Sequence, residues 1–514
     1  MAPKKNDNWY IGIDLGTGSC KSVIIDARAR VIGFGLSDYS ATEVQTKWKE
    51  QDPESLVDAM IRSVRDAIKQ ANVFPQACKG MSIGGALHSL IAIDRSGKPL
   101  TGVLTWVDDR AVQQAAVVRG TADADRIYRQ TGCPVHSMFP LYKIIWLREK
   151  QPGVFDKAVR FVSAKEYVFE RLTGQAMVDF NIASGSGLLN IHDLSWNAKS
   201  MQLAGVTDRQ LASLNSPWTV IGELNASLAS EMGISANTPL VLGSSDAVNS
   251  SLGAGAVFAE CATCMIGTSG AFRIIAKQAL VDPLARSWCY AIDAEHWLVG
   301  GAINNGGIVL SWLRDVLNQA ISPASEKGEL SFDDLITMAA DVRPGAEGLI
   351  CLPFFAGERS PNWNMNTRGV FFGLTLKHNA THIARALLEG VAFRLRTLKE
   401  TLNEMGCEIK EIRASGGLTR SELWPQIIAS ALKVDLGLPQ WGETSSLGAA
   451  LWALLGTGVI HKLEEIGKLV PSTRSYRPVK KDSERYDQLF DIYKELYLAM
   501  EKSFDRIADI SEQK

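Results

Sequence analysis

One pattern constrains this chain more than any other. An apolar run ends in Asp14, turns through Gly16-Thr17-Gly18, and leaves through a second apolar run, Val23-Ile24-Ile25. That is strand, tight turn, strand, so the turn aims its backbone N–H groups into one small concavity. Gly16 and Gly18 can adopt positive φ and let an anion approach the main chain. Asp14, at the strand end, is placed to hold a divalent cation beside that anion. A nucleotide phosphate with Mg²⁺ fits such a corner, and so does an ordinary glycine hairpin. The pattern then recurs: an apolar run from Cys261, the corner Gly267-Thr268-Ser269-Gly270, and another apolar run. A third corner, Ala414-Ser415-Gly416-Gly417, stands between a strand and a helix. Repeated corners of this kind imply two related α/β lobes facing each other across a cleft.

Length agrees with two lobes. The chain has 514 residues, well beyond the roughly 250–300 at which a single core stops growing. Its 46% hydrophobic and 21% charged residues describe a soluble globular protein. Net charge is −2 with both signs mixed along the chain, so no basic face draws nucleic acid. No apolar stretch reaches 18 residues, which predicts no membrane span. The polar segment Met1–Asn8 lacks a signal core, and eight scattered cysteines form no disulfide framework, so a reducing cytoplasm is expected. Cys261 and Cys264 have C-x-x-C spacing, but no second pair follows at zinc-ribbon distance. They read as a buried strand. No G-x-x-x-x-G-K-[ST], strand-borne G-x-G-x-x-G or G-x-S-x-G occurs, which removes P-loop enzymes, dinucleotide folds and serine hydrolases.

Helical spacing of apolar residues predicts helices over 56–69, 141–149, 308–318, 382–405, 421–432 and 485–508. Strands are expected over 80–93 and 102–106. In the last helix Tyr486, Leu489, Tyr493, Leu496 and Met500 form a stripe that packs on the body. The strand Leu240-Val241-Leu242 delivers Gly243-Ser244-Ser245-Asp246. From the residues alone Asp246 fits a helix cap as well as a general base. His88 in the same way fits a core histidine as well as a ligand contact.

Several blocks occur in order: Trp48-Lys49-Glu50-Gln51-Asp52-Pro53, Trp106-Val107-Asp108-Asp109-Arg110, Lys143-Ile144-Ile145-Trp146, Gly243-Ser244-Ser245-Asp246 and Ile266-Gly267-Thr268-Ser269-Gly270. The second half adds Leu352-Pro353-Phe354-Phe355-Ala356-Gly357-Glu358-Arg359-Ser360-Pro361, Leu388-Glu389-Gly390, Ser415-Gly416-Gly417 and Glu443-Thr444-Ser445-Ser446-Leu447-Gly448. With these blocks the chain resembles the FGGY carbohydrate kinases over about residues 9–456. The resemblance implies the two-lobed actin/Hsp70/hexokinase-like (ribonuclease H-like) ATPase fold with a central cleft. Residues 9–253 would be an N-terminal lobe holding sugar, the first phosphate loop and the catalytic Asp. Residues 261–456 would be a nucleotide-binding C-terminal lobe, and 457–514 a helical extension packed on the body. One departure stands in the first loop, where Gly18 replaces the second threonine of some members, so the backbone must do more there.

The resemblance also assigns roles. Thr17, Gly18, Ser19 and Lys21 would contact ATP phosphates at the first hairpin and Thr268 at the second. Gly307 with Ser311, and Gly417 with Ser421, would line the nucleotide. Asp246 would be the catalytic base and Asp14 the Mg²⁺ contact. His88, Asp108, Arg110 and His136 are expected at the substrate. The segments around His88, Asp108 and His136 look most like the gluconate-phosphorylating members, so a sugar or sugar-acid substrate, most of all D-gluconate, is expected, its carboxylate met by Arg110 or His136. Phosphorylation of D-xylulose or another sugar is the rival within the family. A non-catalytic nucleotide switch of the actin/Hsp70 type is the rival outside it. Apolar helices in both lobes could pair two copies as a homodimer, with no face singled out.

Overall fold

The computed structural model describes residues 8–39, 42–45, 48–320 and 329–512. The polar segment 1–7 therefore lies outside the described residues. Two sheets organise the rest, and they repeat one topology. In the first, the strands run Val220–Ile221, Leu240–Val241, Cys78–Gly85, Trp9–Leu15, Ser19–Asp26, Val31–Asp38. In the second, they run Trp288–Ala291, Trp297–Ile303, Gly270–Ala276, Cys261–Ile266, Glu411–Gly416, Asp435–Pro439, Ser472–Tyr476. Each sheet is built on an antiparallel hairpin: Trp9–Leu15 with Ser19–Asp26 in one, Cys261–Ile266 with Gly270–Ala276 in the other. Each hairpin's first strand then pairs in parallel with a later strand, Cys78–Gly85 or Glu411–Gly416. The repeat seen in the sequence is thus a repeat of architecture.

Local chemistry explains the elements. Trp9–Leu15 is buried along its whole length, as a strand with neighbours on both sides and helices on its faces must be. The helix expected over 56–69 runs Pro53–Ala71, because Asp52 accepts from the Glu54 N–H and Pro53 suits the first turn. It ends where Asn72 turns left-handed at φ 51°. The strand expected over 80–93 is broken in two. Cys78–Gly85 stays in the first sheet, whereas Ile91–Ile93 pairs with Arg160–Val162 elsewhere. Between them His88 adopts a left-handed φ of 68°, which swings the chain off the sheet end. The expected 421–432 helix begins as a tight turn, Gly417–Arg420, before Leu423–Leu432. Cys261 and Cys264 are buried in their strand, and all eight cysteines are unbridged. Among the described residues no helix is long and apolar enough to cross a membrane.

One helix ties the halves together. Thr444–Gly456 packs under the first sheet and crosses Asp246–Gly253 at very short range. A Cβ on Gly448 would sit 1.8 Å from the Asn249 carbonyl oxygen, and one on Gly12 2.1 Å from the Ala450 nitrogen. Trp452 Nε1 donates to Asn249 Oδ1 at 2.8 Å, and Asn249 Nδ2 donates back to the Ser244 carbonyl. The final helix, Lys480–Glu512, buries Tyr486, Phe490, Tyr493, Tyr497 and Phe504. Tyr486 Oη bonds Glu389 and accepts from Arg385.

Candidate active site

The parallel strands bring their C-terminal ends to one place. Asp14 is in register with Gly84, Leu15 with Gly85, and Gly85 forms a bridge to Ser245. Asp14 and Asp246 therefore meet at the strand ends, the usual place for active groups in α/β folds. The cap-or-base question for Asp246 has a geometric answer. Ser245 is the cap, accepting from the Val248 N–H, and Asp246 is the first residue inside the helix. Its carboxylate is thereby free to face the cleft, steadied by the backbone N–H groups of Leu87 and Ala247.

These two carboxylates are electrostatically expensive. Burial first, then the charge of Asp246, pushes Asp14 up to about 7, against relief from Ser445 and Lys21. Burial raises Asp246 as well, opposed mainly by Arg273. Asp14 Oδ1 is buried with no hydrogen-bond partner. Two adjoining acids with an unpartnered oxygen suit a cation bound through one carboxylate, water and phosphate, the habit of Mg²⁺. Among the described residues no group of three or more His, Cys, Asp or Glu is arranged to hold a metal.

A buried scaffold holds the Asp246 strand end. Lys165 Nζ donates to Asp179 Oδ2 at 2.5 Å and to the Gly243 carbonyl at 2.8 Å. Asp179 also accepts from the Asn181 and Ile182 N–H groups and the Ser244 hydroxyl. Ser245 Oγ donates to Asn181 Oδ1. Sequence reading passed over Lys165 and Asp179, because nothing in a sequence marks which lysine is buried against which acid.

Both hairpin tips are open to the cleft, with Thr17, Gly18 and Thr268 exposed. Neither Gly16 nor Gly18 takes a positive φ. What glycine provides at 18 is room, since a Cβ there would meet nothing within 4 Å. Gly416 of the third corner is the one at φ 85°. Thr17 is fixed from two sides, its hydroxyl accepting from Trp106 Nε1 at 3.0 Å and its carbonyl from Gln51. Ser19 is half-buried at the base of the turn. Lys21, expected at phosphate, has its ammonium in an ion pair with Glu443. Thr268, Gly307, Ser311, Gly417 and Ser421 all line one cavity of about 380 Å³, joined by Phe332, Ile336, Arg420 and Trp424. Its depth is set by the second hairpin, where Gly307 N donates to the Gly267 carbonyl and Ile308 N to Thr268.

The expected substrate residues divide. His88 and His136 stand near each other in an aromatic corner. His88 packs edge-on to Phe139 and Tyr290 with Nδ1 2.6 Å from the Gly185 carbonyl, and His136 lies 5.5 Å from the Trp363 ring. Burial, with nearby cations, holds both imidazoles neutral, each pushed down to about 3. The ammonium of fully buried Lys143 braces this corner, donating to the His88 and Thr105 carbonyls. Asp108 and Arg110, expected at the substrate, are held together in a buried ion-pair cluster. Arg110 bonds both oxygens of Asp108 and one of Glu50, each at 2.8 Å, and packs against the rings of Trp48 and Trp146, which meet each other edge-on. Its side chain is 4% exposed and that of Asp108 0%. Two residues missed at this face, Arg273 and Arg359, come from the second half of the chain and are buried.

Comparison with known proteins follows the same division of the chain. The N-terminal domain of the FGGY family of carbohydrate kinases matches residues 9–253, and its C-terminal domain matches 262–457. A gluconokinase of Bacillus licheniformis is 36% identical over 504 residues, covering 98% of each chain. A solved gluconate kinase from Lactobacillus acidophilus superposes with a TM-score of 0.91 at 31% identity, covering 97% of this chain and 99% of that one. A xylulose kinase from the same organism superposes at 0.92, also 31% identical, over 97% and 100%.

Proposed function

The chain belongs to the FGGY family of carbohydrate kinases, and we propose that within it the protein transfers the γ-phosphoryl group of ATP to D-gluconate, giving 6-phospho-D-gluconate. The observation that carries the chemistry is Asp246 at the strand end, freed from capping by Ser245 and facing Asp14 between the two hairpin tips. Gluconate is favoured over xylulose by the 36% identity to the B. licheniformis gluconokinase, against 25% to a Staphylococcus epidermidis xylulose kinase matched over a similar share of the chain.

In this reading residues 9–253 bear the sugar and the first phosphate hairpin, and residues 261–456 bear the nucleotide. The 380 Å³ cavity takes adenosine, with its Phe332 and Ile336 against the base and Thr268 at the phosphates. Thr17, Gly18 and Ser19 receive the γ-phosphate from the opposite tip. Asp246 accepts the proton of the attacking hydroxyl as the new O–P bond forms and the bond to the ADP oxygen breaks. Its raised pKa, caused by burial, brings its basicity toward the working pH. Asp14 is the residue that would hold Mg²⁺, and the metal when bound neutralises charge on the phosphates. Trp106 and Gln51 keep Thr17 from drifting, so the tip is positioned before ATP arrives. Closure of the two halves excludes water that would otherwise take the phosphoryl group.

The reading is tested by ADP release with Mg²⁺ and ATP against D-gluconate, D-xylulose, L-ribulose and glycerol. Turnover dominated by D-gluconate is expected. Turnover of a neutral sugar alone would keep the kinase and remove gluconate.

A further inference from the structure

A buried side chain at the cleft joins two segments that the backbone leaves apart. The segment after Cys78–Gly85 runs antiparallel to the one around Val103–Leu104, and Leu90 and Leu104 exchange main-chain hydrogen bonds of 3.0 and 2.9 Å. In a continued ladder the next rung would join His88 to Trp106. His88 instead turns left-handed at φ 68°, which takes its carbonyl out of that rung. The ammonium of Lys143 closes the gap, with Nζ donating to the His88 carbonyl at 2.8 Å and to the Thr105 carbonyl at 2.6 Å.

Lys143 reaches this gap from the helix Pro140–Lys150 and is 0% exposed. Phe139, just before that helix, meets the His88 imidazole edge-on, so one element holds His88 by ring and by carbonyl. Lys165, the other buried lysine among the described residues, donates to a carboxylate, that of Asp179. Lys143 donates to main-chain oxygens. Burial, against the charge of Asp108, pushes its ammonium down to about 7, so below its ordinary range the charge costs the fold stability. An apolar side chain would fill the space without that cost, and fold stability alone gives no reason for a lysine here.

Its position gives a reason. Thr105 is followed by Trp106, whose Nε1 donates to Thr17 Oγ1 at the tip of the first hairpin. His88 carries the imidazole of the corner in which the substrate is proposed to lie. One ammonium thus grips the segment behind the phosphate tip and the segment behind the substrate corner. We propose that Lys143 is a positioning residue for phosphoryl transfer, fixing the spacing between the acceptor hydroxyl and the γ-phosphate. This rests on the sugar-kinase reading above, whichever sugar is the acceptor. With the spacing fixed, the acceptor oxygen lies in line with phosphorus. With it loosened, a water oxygen bonds phosphorus instead as the bond to the ADP oxygen breaks, giving inorganic phosphate.

The test uses Lys143→Met, which fills the space without a donor, and Lys143→Gln, which keeps N–H donors on a slightly shorter side chain. For each full-length variant the readouts are kcat, KM for D-gluconate and ATP, and the ratio of inorganic phosphate to ADP. In Lys143→Met a fall of about 100-fold in kcat is expected, the scale on which about 1 Å of misplacement acts. The phosphate-to-ADP ratio should rise, and Lys143→Gln should recover part of the transfer. KM for ATP should hold, because the nucleotide cavity lies on the other half of the chain. Trp106→Phe removes the indole donor to Thr17 and should leak phosphate in the same way. Combined with Lys143→Met it should cost less than the product of the two single losses. A lowered kcat with an unchanged phosphate-to-ADP ratio is what lost structure alone would give, and it overturns the assignment. A fully multiplicative loss in the double variant overturns it too. Where Lys143→Met loses the ADP-induced rise in melting temperature and so has not folded, Lys143→Gln and Trp106→Phe carry the comparison, and the parent's ratio in both overturns the assignment. Turnover of a neutral sugar in place of gluconate by the unaltered protein overturns the gluconate reading alone, and the Lys143→Met ratio measured with that sugar decides the assignment.

Discussion

Replacing Asp246 with Asn separates chemistry from architecture. Asparagine has nearly the same shape, and its Oδ1 can still accept the Leu87 and Ala247 N–H groups that steady the carboxylate. Two charge effects change. Repulsion with Asp14 disappears, and so does attraction from Arg273. Because burial outweighs that attraction and raises the Asp246 pKa, its ionised form costs the fold stability, increasingly as pH rises through that pKa. The variant should therefore melt no lower than the parent, with its relative gain larger at alkaline than at acid pH. A general base is worth about 10²–10⁴ in rate, or about 3–5 kcal/mol of barrier at roughly 1.4 kcal/mol per tenfold. The assays are kcat for D-gluconate by coupled ADP detection, ADP affinity by calorimetry, and thermal melts across pH. Loss of turnover with ADP affinity and melting temperature intact is expected. A variant retaining a tenth or more of kcat would refute the assignment, and a collapse of folding would refute the electrostatic argument.

Other perturbations probe the frame around this residue. Lys165→Met strands Asp179 without its buried partner and should cost about 3–5 kcal/mol in urea unfolding. The double variant with Asp179→Leu should recover only part, because Asp179 also caps the helix at Asn181. Gly448→Ala forces a methyl to within 1.8 Å of the Asn249 carbonyl oxygen. It should lower the melting temperature by an overpacking cost of about 1–3 kcal/mol or more and reduce kcat, since the displaced helix carries Asp246. His88 and His136 are held near pKa 3 by burial, against about 6.5 when unfolded. Between those values the unfolded chain binds more protons, so their stability contribution is lost as pH falls below about 6.5, by up to ~1.4 kcal/mol per pH unit for each histidine. In His136→Asn the urea midpoint should fall less between about pH 7 and about pH 5 than in the parent.

The repeated glycine corners made the architecture readable because backbone geometry around a tight hairpin is dictated locally. Five residues scattered from Thr268 to Ser421 were placed together by motif, and they line one cavity. The strand expected over 80–93 failed because apolar character alone does not report the left-handed turn at His88. Arg110 and Asp108 stand in a conspicuous block, but the buried ion pair they form beside two indoles depends on Glu50, Trp48 and Trp146, which the block does not include. Lys165 and Asp179 carry no motif, because which buried lysine meets which acid is decided by the packing of separate elements.

The central claim is phosphoryl transfer from ATP to the terminal hydroxyl of D-gluconate, and ³¹P NMR of a reaction with ATP, Mg²⁺ and D-gluconate tests it most directly. The account predicts one new phosphomonoester signal, coupled to the C6 protons, growing in step with ADP. ADP accompanied only by inorganic phosphate, or no ADP at all with gluconate present, would contradict it.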